Sequence, residues 1–121
     1  MKGIVITTTN HISVQDFGRP LYQTVGAVVG GYIEHVHPKH LPEPYCMIVD
    51  EEGLLKEQPV LNLVGSVLYG TPEHGQPIVG DVVIMKDGFD NGEPDIVGLS
   101  DEDVSRLHAF FAKNFNLKEK N

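Results

Sequence analysis

The first third of the chain alternates short apolar runs with glycine and proline, a pattern that predicts two strands and a helix. The run GIVITTT (3–9) is rich in β-branched residues and holds no breaker, so it predicts a strand. ISVQDF (12–17) alternates apolar and polar positions, as a second strand or an extended arm would. Beyond it, Pro20 favours a helix start, apolar residues recur at helical spacing, and Gly30 with Gly31 would end the helix.

A strand and a proline-rich loop are predicted after this helix. YIEHVH (32–37) alternates in side-chain character, which predicts a strand with three residues on each face. The predicted faces are Tyr32, Glu34 and Val36 on one side and Ile33, His35 and His37 on the other. PKHLPEP (38–44) has three prolines in seven residues and therefore predicts a loop.

The middle of the chain predicts a β-hairpin followed by a short helix. Over residues 45–58, YCMIV is typical of a strand, DEEG of a turn and LLKEQ of a short return strand. LNLVGSVLYG (61–70) fits the spacing of a helix and of a strand. We expect a short helix there, because Asn62 is a favourable N-terminal cap and Gly70 a favourable end.

The C-terminal third predicts one strand, one edge strand and the clearest helix of the chain. GTPEHGQPIVG (70–80) predicts a loop and DVVIMK (81–86) a strand, followed by a flexible turn over DGFDNGEPD (87–95) and a brief edge strand at IVGL (96–99). Ser100 then caps a helix whose first turn is acidic. The apolar stripe of this helix is Val104, Leu107, Phe111 and Phe115.

Together these elements predict a single α+β domain over residues 1–116. The sheet is expected to be mostly antiparallel, with two or three helices packed on one of its faces. Residues 117–121 (LKEKN) are mostly charged or polar and are expected to form a frayed C-terminal tail. No repeat and no shift in composition indicates a second domain.

Composition and charge argue against two classes of function, nucleic-acid binding and membrane insertion. Seventeen acidic against nine basic residues give a net charge of −8, which disfavours binding that neutralises many phosphates, so we expect no direct nucleic-acid contact. There is no apolar run of about 20 residues and no signal-peptide pattern. The lone cysteine, Cys46, has apolar neighbours and suits a reducing compartment. We therefore expect no membrane contact and a cytoplasmic location.

Several phrases, taken in order, resemble one family over nearly the whole chain. They are VGGYIE, DEEGLL, NLVGSVLYG, IVGDVVI and LSDEDV. In these phrases the chain is similar to the domain-of-unknown-function family numbered 3846, whose members occur in bacteria of the Firmicutes type and often on phages and mobile elements. The resemblance implies a small soluble accessory protein without established chemistry. The positions it singles out are Gly30, Gly31, Tyr32, Glu34, Asn62, Tyr69, Gly70 and Gly80.

The histidines of EHVHPKH are candidates for a metal site. His35 and His37 would lie on one face of a strand, and His40 could fold back as a third ligand. The alternative is that His35 and His37 lie on a half-exposed face while His40 lies in the proline-rich loop. These histidines are not part of the family's pattern, and no HExxH motif is present. The alternative is therefore favoured, with no metal and no other cofactor.

Two glycine–aromatic joints are better candidates for a ligand site. VGGY ends a predicted helix and begins a strand at Tyr32, and LYGT places Tyr69 beside a glycine and a hydroxyl. Glycine lets backbone approach a ligand, and tyrosine offers a stacking surface. The candidate ligand-binding residues are Gly30, Gly31, Tyr32, Glu34, Asn62, Tyr69, Gly70 and Thr71. The alternative is that both tyrosines lie at the edge of the core and the glycines only turn the chain.

The sequence shows no catalytic constellation, so a non-enzymatic role is the leading hypothesis. We expect a homo-oligomeric accessory protein of a phage or mobile element, located in the host cell cytoplasm if a phage encodes it. It would sequester a small polar ligand such as a nucleotide-derived immune signal. The first alternative is an acidic inhibitor that binds a host defence or DNA-handling enzyme. The second is a metal-dependent hydrolase that uses His35, His37 and His40.

Overall fold

A seven-stranded sheet forms the centre of the fold in the computed structural model, which describes residues 1–119. Its strands are β1 (Lys2–Ile6), β2 (His11–Asp16), β3 (Ile33–Val36), β4 (Tyr45–Asp50), β5 (Val82–Asp90), β6 (Glu93–Val97) and β7 (Lys118–Glu119). The helices are α1 (Leu21–Val29), α2 (Leu63–Tyr69), α3 (Thr71–His74) and α4 (Asp101–Asn114). Strand order is β3-β4-β5-β1-β2-β7, and β6 pairs with the second half of β5.

All strand pairs are antiparallel except the short parallel pair of β2 with β7. The predicted class, an α+β fold with a mostly antiparallel sheet, is therefore confirmed. The predicted tail differs in part, because Lys118 and Glu119 pair with His11 and Ile12. Residues 120 and 121 lie outside the described part of the chain.

The helices cover both faces of the sheet, so the prediction that they pack on one face is wrong. α2 and α4 bury their apolar residues against the face of β1 that presents Ile4 and Ile6. α1 packs on the opposite face, where Val5 points. The physical reason is visible in β4 and in the first part of β5, which are buried at every position. A continuous apolar run of this kind is typical of a strand covered on both sides.

The predicted hairpin after β4 is also wrong. β4 already pairs with β3 on one edge and β5 on the other, so no edge remains for a return strand. Gly53–Leu55 instead forms one turn of 3-10 helix. The buried carboxylate of Asp50 accepts a hydrogen bond from the Glu52 N–H at 3.0 Å and lies 3.2 Å from Lys56 Nζ. These contacts turn the chain away from the sheet.

A hairpin forms where the sequence predicted a flexible turn. β5 continues through Asp90 and returns as β6, with Asn91 and Gly92 at the tip. Both tip residues have positive φ, 51° and 81°, as the favoured two-residue hairpin turn requires. The predicted loop after Gly70 differs as well, because Thr71–His74 forms the short helix α3.

Asn62 links three parts of the fold through one buried side chain. As predicted, it caps α2, accepting a hydrogen bond from the Gly65 N–H at 2.9 Å. Its amide nitrogen donates to the carbonyl of Ile6 at 3.0 Å and to that of Gly80 at 2.9 Å. Helix α2 is thereby joined to β1 and to the segment that leads into β5.

Replacing Asn62 with alanine should lower the free energy of unfolding by about 2 to 3 kcal/mol, because a cap is lost and two buried carbonyls lose a donor. Urea denaturation followed by circular dichroism measures the change. Asn114→Ala is the control, since Asn114 makes one exposed hydrogen bond at the end of α4. Equal losses in the two variants would contradict a central role for Asn62.

Helix α4 begins with the predicted cap at Ser100, which forms a reciprocal capping box with Asp103. Asp103 is buried, and its carboxylate also accepts from Tyr45 Oη at 2.8 Å and from Lys86 Nζ at 2.6 Å. Burial opposes ionisation, but the hydrogen bonds from Lys86, Ser100 and Tyr45 outweigh it and hold the pKa of Asp103 well below its usual range. Asp103 thus ties α4 to β4 and β5.

Asp103→Asn should lower the free energy of unfolding at pH 7 by about 2 kcal/mol, because Lys86 and Tyr45 lose a charged acceptor. The lowered pKa stabilises the fold fully above the unfolded pKa of about 4 and progressively less as the pH falls below it. Denaturation at pH 7 and pH 3 should therefore show a smaller difference between wild type and variant at pH 3.

The control for this experiment is Glu102→Gln, which removes an exposed carboxylate from the same helical turn. Its effect should be about 0.5 kcal/mol or less, as for other exposed ion pairs. A wild-type to Asp103→Asn difference that stays constant between pH 7 and pH 3 would contradict the role of the ionised carboxylate.

Candidate functional site

Two histidines and an aspartate meet where β3, β4 and β5 run side by side. His35 lies in β3 and His37 lies one residue beyond its end, while Asp87 lies in β5. His35 Nε2 is 2.8 Å from one oxygen of the Asp87 carboxylate, and His37 Nε2 is 2.7 Å from the other. The imidazole rings contact each other edge to face, with centroids 4.6 Å apart. One carboxylate thus holds both rings.

Cys46 lies next to this group, on the strand between the histidines and the aspartate. Its side chain is fully buried, and the ligand atoms of His35, Cys46 and Asp87 all lie within 4.8 Å of one another. Burial raises the pKa of the Cys46 thiol to about 12, and the negative charge and hydrogen bonding of Asp87 add to the shift. The thiol is therefore protonated at neutral pH and is a poor nucleophile. We call His35, His37, Cys46 and Asp87 the His–Cys–Asp cluster.

Strand register brings this cluster together. His35 pairs with Ile48, and Cys46 pairs with Met85. Residues two apart on a strand share a face, so the side chains of His35, Cys46 and Asp87 emerge on one side of the sheet. The alternation of YIEHVH predicts that His35 and His37 share a face. Sequence reasoning missed Asp87 and Cys46 because their approach depends on the pairing of three strands.

A groove lies beside the cluster, along the β5–β6 hairpin. It encloses a cavity of about 480 Å³. Its lining residues are His35, His37, Asp87, Gly88, Phe89, Pro94, Asp95 and Ile96. Phe89 is 74% exposed, and Asp95 lies 3.4 Å from the guanidinium of Arg19. We call this cavity the β5–β6 groove; it combines an apolar wall with imidazole and carboxylate groups.

His40 lies apart from the other two histidines. Its Nε2 is 2.8 Å from a carboxylate oxygen of Glu73, and its backbone N–H donates to the carbonyl of Leu68. It lines a different depression, together with Phe110 and Phe115. The proline-rich loop therefore turns toward α2 instead of bringing His40 back to His35 and His37. The predicted three-histidine set is not assembled.

Three of the eight predicted ligand-binding residues border two smaller cavities. Gly30 lines a cavity of about 290 Å³. Glu34 and Tyr69 line a second cavity of about 160 Å³. Asp50 and Val79 line both cavities, so the cavity beside Gly30 and the cavity beside Tyr69 share two residues.

The other predicted ligand-binding residues have contacts within the protein or lie outside these two cavities. Gly31 packs against the Asp50 carboxylate, where a Cβ atom would lie 3.1 Å from an oxygen. Tyr32 is 73% exposed and lines neither cavity. Gly70 ends α2 with a φ of 95°, and Thr71 Oγ1 donates to the carbonyl of Gln76 at 2.6 Å. Asn62 is buried, with its amide protons and its oxygen already bonded. The eight-residue ligand site stays a prediction.

A run of exposed apolar side chains begins in the 3-10 turn and continues to the start of α2. Leu55 is 80% exposed, and the neighbouring residues in this run expose large parts of their side chains. The run consists of Leu54, Leu55, Val60, Leu61 and Leu63. An apolar surface of this kind is typical of a protein contact.

Comparison with known proteins places the chain in a protein family. The model of a domain of unknown function, DUF3846, matches residues 1–112. The chain belongs to the DUF3846 family. The resemblance found in the sequence is thereby confirmed, and the match spans both the His–Cys–Asp cluster and the β5–β6 groove of this DUF3846 protein. No curated protein and no solved structure gave a significant match. Within residues 1–119, no helix has the length and apolarity to cross a membrane.

Proposed function

We propose that this DUF3846 protein binds a small polar ligand in the β5–β6 groove and releases it chemically unchanged. The observation that supports the proposal is the lining of a cavity of about 480 Å³ by an exposed aromatic ring, Phe89, together with two imidazoles and two carboxylates. Cavities of about 300 to 1,000 Å³ with apolar walls and a few polar groups are typical of small-ligand sites.

The lining indicates the chemistry of the ligand. Phe89 offers a face for stacking a planar ring, and Asp87 and Asp95 accept hydrogen bonds from amino groups. Arg19 lies beside Asp95 and can donate to an anionic group at the rim. A ring with amino substituents and an attached phosphate combines these properties, so a nucleotide-derived molecule is the ligand class we propose.

The mobile-element setting that the family resemblance implies favours an accessory role for such binding. A protein that holds a nucleotide-derived signal lowers its free concentration without needing a catalytic group. We propose on this basis that the protein sequesters an immune signal of the host cell. The Cys46 thiol, with its pKa raised to about 12, is unsuited to nucleophilic chemistry beside the groove.

Phe89→Ala should weaken ligand binding about 5- to 150-fold, because stacking of a base on an aromatic side chain contributes about 1 to 3 kcal/mol. Mass spectrometry of the denatured protein, and thermal stabilisation by a panel of mono-, di- and cyclic nucleotides, identify the ligand and its affinity. The protein should return the bound molecule with unchanged mass.

Tyr32→Ala is the matched control, because Tyr32 is as exposed as Phe89 but does not line the groove. Wild-type affinity in Tyr32→Ala and weakened affinity in Phe89→Ala would support the groove. The reverse result, or loss in Tyr69→Ala, would place the ligand at the glycine–aromatic joints and overturn the groove assignment. If the protein retains no small molecule and no nucleotide raises its unfolding temperature, the proposed function is overturned.

Contact with a protein is a second candidate function, favoured by the exposed apolar run of Leu54, Leu55, Val60, Leu61 and Leu63. A net charge of −8 makes two copies of the chain repel each other, and burial of an apolar surface supplies an attraction that can outweigh this repulsion. We therefore propose that this run joins two copies into a homo-oligomer.

Leu55→Ser combined with Val60→Ser should convert an oligomer into a monomer, as measured by light scattering during size-exclusion chromatography. Val14→Ser is the control, since Val14 is an exposed apolar residue of β2. A wild-type chain that stays monomeric at high concentration would contradict self-association and favour a different protein partner, such as the enzyme target of an acidic inhibitor.

A further inference from the structure

We propose that the His–Cys–Asp cluster binds a divalent transition-metal ion, with zinc as the expected metal. The donors are one nitrogen from each of His35 and His37, the Cys46 sulfur and a carboxylate oxygen of Asp87. This site shares His35, His37 and Asp87 with the β5–β6 groove, but zinc binding does not require a ligand in the groove. It also differs from a three-histidine site, because His40 bonds to Glu73.

The donor atoms of His35, Cys46 and Asp87 are close enough for one ion to reach all three after small side-chain rotations. His37 lies outside this set of three and would join it by a further rotation of its exposed side chain. Tetrahedral zinc with ligands at about 2.0 to 2.3 Å sets them roughly 3.4 to 3.7 Å apart. The ligand atoms of His35, Cys46 and Asp87 lie within 4.8 Å of one another, and His37 Nε2 is 2.7 Å from the second Asp87 oxygen. Both imidazoles already point a ring nitrogen at the same carboxylate.

The kinds of donor indicate the kind of metal. Imidazole nitrogen and thiolate sulfur suit zinc and its transition-metal neighbours, whereas calcium and magnesium require mainly oxygen ligands. On binding, the Cys46 thiol releases its proton to the buffer and a metal–sulfur bond forms. The thiolate and the Asp87 carboxylate then carry two negative charges, which equal the charge of the ion.

The position of the cluster suits an ion that enters from solvent and is held firmly. Three of the four donors lie on paired strands, which hold their side chains at the same separation without a ligand. Cys46 closes the site from the inside, since it is fully buried. The side chain of His37 is 66% exposed and lies just past the end of β3, so it can move aside to admit the ion.

The first test is zinc binding by the full chain, purified without a polyhistidine tag and treated with a chelator. Isothermal titration calorimetry should show about one zinc ion per chain, and His37→Ala should weaken binding at least about tenfold. His37 is largely exposed, so this variant should keep the wild-type circular dichroism spectrum and unfolding midpoint. Those two measurements separate a lost ligand from a lost fold.

The second test uses cobalt as a spectroscopic probe of the sulfur. Cobalt in place of zinc should produce thiolate-to-metal charge-transfer absorption in the near ultraviolet, and Cys46→Ser should abolish it. Cobalt binding without this absorption would overturn the assignment of Cys46 as a ligand.

His40→Ala is the matched control, because His40 also pairs with a carboxylate at 2.8 Å but lies outside the cluster. It should bind zinc with wild-type affinity. Absence of zinc binding at millimolar metal, or equal weakening in His37→Ala and His40→Ala, would overturn the proposal. Phe89→Ala should also keep wild-type zinc affinity, so failure of the metal site and failure of the ligand groove give different results.

Discussion

The fold and the candidate site both depend on the pairing of β5. In its first half this strand lies between β4 and β1 and is buried on both faces, so its position is determined from every side. Its second half leaves β1, pairs with β6 and becomes partly exposed. The functional groups described above are concentrated near this change from a buried to an exposed strand.

Two consecutive residues at that point have opposite roles because side chains alternate across a strand. Lys86 points to the face covered by α4 and donates to the buried Asp103 carboxylate. Asp87 points to the other face and bonds to His35 and His37. The adjacent residues Lys86 and Asp87 therefore contribute to a stabilising ion pair on one face of the sheet and to the candidate site on the other. Displacement of β5 at this position would alter both sets of contacts.

Local chemistry was sufficient to predict the elements whose ends depend on a single residue. Asn62 and Gly70 bound α2 as expected, Gly30 ends α1 with a φ of 105°, and Ser100 caps α4. The errors have a different origin. Leu54 and its neighbours have the composition of a return strand, but both edges of β4 were already paired. Similarly, the helices were expected on one face because sequence spacing does not state which face of the sheet a helix meets.

The candidate site likewise combines features that the local sequence predicted with features that depend on the pairing of distant strands. Alternation along YIEHVH determined that His35 and His37 share a face. The order of the short sequence segments from VGGYIE to LSDEDV was sufficient to identify the family. Only the tertiary structure decided that Asp87, some fifty residues away, bonds to both histidines and that Cys46 lies behind them. It also decided that His40 bonds to Glu73 and does not join this cluster. The reason is physical: a local pattern specifies the direction of a side chain, whereas strand register and loop closure specify which distant side chain it meets.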